Sequence, residues 1–80
     1  MLKHYYINRR AQLTGEREVH AEDCVYLPDI MNREYLGMFD SPRKAVEEAR
    51  KYYPNVDGCY YCCYPAHTRY IVYKAWRGVI

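Results

Sequence analysis

The chain is 80 residues long, which allows one domain at most and excludes a large cleft enzyme with a substrate domain of its own. Half of the residues are hydrophobic, but eleven tyrosines and four cysteines are counted in that half, so few plainly apolar residues are left for a core. Domains with so small a core often need a disulfide, a metal ion or a partner subunit. The net charge of +2 is too small to predict tight nucleic-acid binding.

No targeting segment is visible in the sequence. Its start lacks the ~7–15-residue apolar stretch of a signal peptide, and no run approaches the ~20 apolar residues of a membrane span. We therefore expect a cytoplasmic protein without membrane association. Thiols stay reduced in that compartment, so clustered cysteines there indicate metal ligands or redox groups more often than disulfides.

The first part of the chain predicts a β-hairpin. Residues 4–8 are aromatic and β-branched, a composition typical of a strand. Residues 13–16 predict a turn, in which Gly15 is free to take a positive φ. Residues 18–20 then form the returning strand.

Two further segments have the composition of strands. Residues 35–39 predict a short strand, in which Gly37 indicates a bulge or a close approach of backbone. Residues 70–76 alternate in a way that also suits a strand, which either pairs onto the sheet or forms a tail that needs a partner. The sheet that these segments predict is small and antiparallel.

One helix is predicted from about residue 41 to residue 53. Ser41 can cap it, Pro42 suits its first position, and Pro54 stops it. An apolar stripe runs along one side through Ala45, Val46, Ala49, Tyr52 and Tyr53. Because such a stripe needs a surface to cover, we predict an α+β fold in which the helix covers the sheet.

The cysteines and histidines suggest a metal site. His20 and Cys24 form an H-x3-C pair, and Cys59 and Cys62 form a C-x2-C pair that follows Gly58. Short spacings of this kind let a tight turn aim two side chains at one ion, and Zn²⁺ takes four such nitrogen and sulfur ligands tetrahedrally. We therefore predict a zinc site, and a zinc-knuckle staple for the fold, on His20, Cys24, Cys59 and Cys62.

Other interpretations of the same residues stay open. Cys63 or His67 can replace one member of the predicted ligand set. All four cysteines can instead be small buried hydrophobes without a metal, and a disulfide between Cys24 and Cys59 is a rival if the protein is exported. The C-x2-C spacing also occurs in redox proteins, but the strand-to-helix context of those motifs is not apparent.

The order of the motifs resembles a known family. The matching segments are His20-x3-Cys24, Asn32-Arg33-Glu34-Tyr35-Leu36, Phe39-Asp40-Ser41, Glu48-Ala49 and Gly58-Cys59-x2-Cys62. They are similar to the zinc-binding module of the Ada methylphosphotriester-repair proteins, and closer still to small bacterial modules in which His replaces the first Cys. The chain also resembles a group of short uncharacterised bacterial proteins that share the Val19-His20, Asn32-Arg33 and Gly58-Cys59-Tyr60-Tyr61-Cys62 segments.

The resemblance covers roughly residues 18–63 and implies zinc on His20, Cys24, Cys59 and Cys62. It also contains one departure. In the Ada proteins the first thiolate of the C-x3-C pair accepts the methyl group, whereas His20 stands at that place here. An imidazole offers no nucleophilic thiolate, so methyl-transfer repair is not carried over.

We expect one domain over residues 1–80, with a zinc-binding core at about 18–63 and a C-terminal strand or tail at 64–80. The tyrosines can serve as amphipathic core filler, which we favour, or as a stacking platform for bases. The predicted function is a non-catalytic, zinc-stabilised binding module with a protein or nucleic-acid partner and no predicted catalytic residue. Alternatives are a metal-free, tyrosine-rich accessory protein that self-associates as a homodimer, and a small thiol or redox protein that uses Cys59–Cys63.

Overall fold

The structure is a computed structural model that describes residues 1–64, so the predicted strand at 70–76 and the reserve ligand His67 lie outside the described residues. Its regular elements follow in chain order. They are strand β1 (Lys3–Asn8), strand β2 (Arg17–Ala21), a 3-10 turn (Ile30–Asn32), strand β3 (Arg33–Phe39), helix α1 (Pro42–Ala49) and strand β4 (Val56–Gly58).

The four strands form one sheet in the order β3-β1-β2-β4. Strand β1 pairs antiparallel with both β2 and β3, whereas β2 and β4 run parallel. The α+β class with one covering helix is confirmed, but the sheet is mixed where a purely antiparallel one was predicted. The physical reason is the connection, because α1 carries the chain from β3 at one edge to β4 at the other, and such crossovers join parallel strands.

Glycines occupy the two places where the backbone needs them. Gly15 has φ +90° in the connection between β1 and β2. Gly37 has φ +130°, and the register between β1 and β3 shifts beside it, since Tyr5 pairs with Gly37 and Tyr6 with Tyr35. The extra residue of β3 is a bulge, so the predicted role of Gly37 is confirmed.

Helix α1 begins as predicted and ends early. The Lys44 N–H donates to Oγ of Ser41 at 3.3 Å, and Pro42 is the first helical residue. The helix ends at Ala49 where residue 53 was predicted. Residues 50–52 continue as tighter turns, in which the Tyr52 N–H donates to the Ala49 carbonyl at 3.0 Å. Proline disfavours the helical conformation of the residue before it, so Pro54 acts only against a helical Tyr53, and the chain leaves α1 through the turns at 50–52.

The apolar core lies between α1 and one face of the sheet. On the sheet side, alternate residues of β1 and β2 point into it, and these are Tyr5, Ile7, Val19 and Ala21. The helix contributes Ala45, Val46 and Ala49, and the core also takes in Val56 and Cys63. Among residues 1–64, no helix has the length and apolar character to cross a bilayer.

Candidate metal centre

The parallel pairing of β2 and β4 positions both halves of the predicted site. Strand β2 contains His20 and ends at Ala21, and β4 ends one residue before Cys59. Because the strands run in the same direction, their carboxyl ends lie side by side at one end of the sheet. There the Cys59 N–H donates to the Val19 carbonyl at 2.9 Å. An antiparallel β4 would leave Cys59 beside the start of β2. The direction of β4 therefore brings two ligand pairs together across thirty-four intervening residues.

The structure brings four donor side chains together at the carboxyl ends of β2 and β4. One ligand atom of each lies within 4.8 Å of all the others, in the group His20, Cys24, Cys59 and Cys62, here called the His/Cys cluster. The Sγ atoms of Cys24 and Cys59 are 3.9 Å apart. Two sulfurs on one tetrahedral zinc are about 3.8 Å apart when each Zn–S bond is about 2.3 Å, whereas a disulfide bond is about 2.05 Å long. The cluster could hold a metal ion and is not a disulfide.

Two backbone turns aim the cysteines. After β2, the Cys24 N–H donates to the Ala21 carbonyl at 3.1 Å, and the Tyr26 N–H donates to the Sγ of Cys24 at 3.4 Å. After β4, the Cys63 N–H closes a turn on the Cys59 carbonyl at 2.8 Å. Backbone donors directed at a sulfur favour its thiolate form, which is the form that binds metals.

The fourth thiol is tied to strand β2. The Ala21 N–H donates to the Sγ of Cys62 at 3.3 Å. This N–H belongs to the residue after His20, so one strand presents an imidazole and a sulfur-directed amide side by side. Hydrogen bonds from the backbone of Tyr61 and of Cys62 itself reach the Cys59 thiol as well.

His20 is a buried member of the His/Cys cluster, and one of its ring nitrogens lacks a hydrogen-bond partner among the described residues. Only 2 % of it is exposed, and its Nδ1 has no hydrogen-bond partner within residues 1–64. Its Nε2 lies 3.6 Å from the Glu18 carboxylate. Burial lowers the pKa of His20 to about 4, so the imidazole is neutral near pH 7. A neutral imidazole with an unpartnered nitrogen has the protonation state of a metal ligand.

Burial also shifts the pKa values of the thiols. It raises the pKa of Cys59 to about 12 and raises that of Cys24 above its usual range. The pKa of Cys62 is raised mainly by its hydrogen bond with the Cys63 thiol, and burial is the second cause. Reactive redox cysteines have a lowered pKa and some exposure. The local environment is therefore the opposite of the one that activates a free thiol, whereas a bound cation deprotonates its sulfur ligands outright.

The competing residues have different surroundings. Cys63 is fully buried in the apolar core and stands outside the His/Cys cluster, although its Sγ lies 3.4 Å from that of Cys62. His4, which was not proposed as a ligand, also stands outside the cluster, with its Nδ1 2.8 Å from the Tyr35 hydroxyl. The C-x2-C pair follows strand β4, and residues 60–62 form a turn.

The contacts that Glu18, Tyr26 and Tyr61 make at the site were not predicted. Glu18 faces His20 because the two residues are two apart on one strand, and the period of a strand could have found it. Tyr26 and Tyr61, one from each turn, have their ring centroids 4.5 Å apart. Their contact joins the two turns and could not be inferred without the fold.

Comparison of the chain with protein-family models, with curated proteins and with solved structures finds no match. The resemblance to Ada-type modules therefore stays a prediction.

Proposed function

We propose that the protein is a small, non-catalytic binding module whose fold is held together by one Zn²⁺ on His20, Cys24, Cys59 and Cys62. The observation that carries the proposal is the convergence of four donor atoms within 4.8 Å from two turns that are distant in sequence. The unpartnered, buried Nδ1 of His20 supports it, because buried polar atoms of native proteins almost always have a partner.

The chemistry of the donor set favours zinc over magnesium and calcium. Three thiolates and one imidazole suit a borderline-soft ion without a redox role, whereas magnesium and calcium prefer oxygen ligands. Four protein ligands also complete a tetrahedron and leave no position for a reacting water, which is the arrangement of structural zinc sites. The chemistry of the donors thus favours a structural role over a catalytic one.

Glu18 fits the same proposal as an outer partner. Histidine ligands usually donate their second ring N–H to a carboxylate or a carbonyl, which fixes the ring orientation. With Nδ1 on the metal, the Nε2–H of His20 would be directed to the Glu18 carboxylate, 3.6 Å away in this structure. Replacement of such a partner costs ~10–100-fold in metal affinity, so we expect this loss for Glu18→Gln in a competition titration with a zinc chelator.

The ion would connect the ends of β2 and β4, which only three residue pairs hold in register. Metal binding by a site that the unfolded chain lacks contributes directly to folding free energy. A module of this kind persists where thiols stay reduced, and we propose the cytoplasm as its location.

Chelation tests this proposal. Purified, reduced protein should contain about one zinc per chain, and removal of the ion should lower Tm by roughly 20 °C or more, or unfold the chain. Added Zn²⁺ should restore the original melting curve, and Mg²⁺ should not. A metal-free sample whose melting ignores both chelator and zinc would contradict the proposal.

A further inference from the structure

The face of the sheet opposite α1 carries its own pattern on β1 and β3. Tyr5 and its alternate neighbours point to the helix, so His4 and Tyr6 lie on the other face. On β3, Tyr35 pairs with Tyr6 and Met38 pairs with His4, which places them on that same face. Tyr35 is 56 % exposed and Met38 is 49 % exposed. We call His4, Tyr6, Tyr35 and Met38 the open face.

The rings of the open face form a ladder across the two strands. The ring centroids of His4 and Tyr35 are 5.5 Å apart, and those of Tyr35 and Tyr6 are 5.4 Å apart. The guanidinium of Arg33 continues the ladder, 4.6 Å from the Tyr6 ring centroid. The His4 ring is also 2.8 Å from the Tyr35 hydroxyl, which holds the exposed ring of Tyr35 in place.

Positive charge borders the ladder at one end. A cleft there is lined by Tyr6, Arg9, Ile30, Arg33, Glu34 and Tyr35. Its single carboxylate, on Glu34, accepts a hydrogen bond from the Tyr53 hydroxyl, so part of its charge is engaged away from the cleft. Two guanidinium groups face one carboxylate, which favours an anionic ligand.

Hydrogen-bonding capacity is also left over at this end. The Nε of Arg33 and the Oδ1 of Asn8 are buried and have no partner within residues 1–64. The two residues lie opposite each other in the pairing of β1 with β3. Arg33 itself is fixed, because its guanidinium donates to the Pro28 carbonyl at 3.0 Å. A rigid arginine beside an exposed tyrosine is a preorganised contact for a group that is both planar and charged.

We propose that the open face and the adjoining arginines bind single-stranded nucleic acid, with a base stacked on Tyr35 and phosphates on Arg9 and Arg33. Sites for single strands combine aromatic rings, on which bases stack, with cations that follow the backbone. This inference rests on the proposed function in one respect, since it names the partner of the zinc-stabilised module. A protein partner would be favoured by a larger continuous apolar patch, whereas this strip has hydroxyl, imidazole and guanidinium groups.

The test is a titration of the zinc-loaded full chain with fluorescently labelled eight-nucleotide oligo(dT) and oligo(U). Binding should weaken as salt increases, with a slope of log K against log[salt] of about −1.4 for two phosphate contacts on a single strand. Tyr35→Ala should weaken binding roughly 5–100-fold through the loss of one stacked base. Tyr35→Phe keeps the ring and should stay within about twofold of the wild type.

Matched variants on the helix side serve as controls. Tyr52 lies just after the end of α1 and is 65 % exposed. Tyr52→Ala should leave binding unchanged. Arg9→Gln should weaken binding and reduce the salt slope by about one phosphate contact, whereas Arg50→Gln, at the exposed end of α1, should have a smaller effect than Arg9→Gln on both. Zinc content and melting of every variant show whether it is folded.

Several results would overturn the inference. One is the absence of salt-dependent binding by a sample that holds one zinc per chain, which leaves the proposed function intact. Another is binding that Tyr35→Ala does not change but that neutralisation of Arg69, Lys74 and Arg77 abolishes, since the ligand would then contact the segment after residue 64. Salt-insensitive self-association through Tyr35 would assign the open face to a protein partner. A folded sample without zinc would instead contradict the proposed function.

Discussion

Strand β2 belongs to two regions that are stabilised in different ways. Val19 and Ala21 point into the core under α1, where apolar side chains fill the space between helix and sheet. His20, between them, points to the other side and joins three thiols. Apolar side chains in the core stabilise the fold by their mutual contact, whereas the cluster brings together donor atoms that gain little from mutual contact. Alternation along a single strand can therefore place some side chains in the apolar core and others at a candidate metal site.

Removal of a metal ligand should change the protein most. Cys59→Ser replaces a buried thiolate ligand by a hydroxyl with little affinity for zinc. We expect loss of the bound metal and of the folded state at 37 °C, because ligation contributes to folding and the core is small. Circular dichroism and elemental analysis on the same sample measure both effects. A Cys59→Ser protein that keeps one zinc and the wild-type Tm would rule out Cys59 as a ligand.

A truncation in the apolar core should have the next largest effect. Val46 is 1 % exposed on the buried stripe of α1, and Val46→Ala removes two methyl groups from the core. We expect the free energy of unfolding to fall by about 2 kcal/mol, as measured by denaturant titration of the zinc-loaded protein. Zinc stoichiometry should stay at one per chain, since α1 supplies no ligand. Loss of zinc on this substitution would show that the two regions are not separable.

Cys63→Ala tests whether Cys63 belongs to the apolar core or to the ligand set. Cys63 is fully buried in the core, next to a cluster member, and the two cysteines are adjacent in the chain. We expect retention of one zinc and a loss of about 1 kcal/mol of stability, as for a small core truncation. The matched variant Cys62→Ala should lose the metal. The reverse pattern, with zinc lost only from Cys63→Ala, would exchange the two residues in the ligand set.

The smallest effect concerns the start of the helix, which depends on neither region. Ser41 accepts the Lys44 N–H, and Ser41→Ala removes this cap. We expect a loss of about 1 kcal/mol in the free energy of unfolding, with Ser41→Asp close to the wild type because aspartate also caps. Equal stability of Ser41→Ala and wild type would indicate that the cap contributes nothing here.

The features that the sequence predicts well are local. Ser41 and Pro42 predict the start of α1, because capping and the fixed φ of proline act within one turn. Gly37 predicts the bulge of β3 for a similar reason. The two ligand pairs are also local, since each spans one tight turn, and their convergence was predicted from the chemistry that they share.

The features that the sequence does not predict depend on the path of the whole chain. The parallel direction of β4 follows from the crossover by α1, and no residue within Val56–Gly58 encodes it. The tyrosines divide in the same way. Tyr5 is buried in the core, as the favoured interpretation has it, while the next residue, Tyr6, lies on the open face. Which of two adjacent tyrosines is buried is decided by the register with β2 and β3.

Zinc ligation by the His/Cys cluster is best tested by a metal analysis combined with a thiol count on reduced, folded protein, before and after chelation. We expect about one zinc per chain, and we expect the ligand cysteines to react with a thiol reagent only after the ion is removed. A folded protein without metal, in which all four thiols react at once, would contradict this expectation.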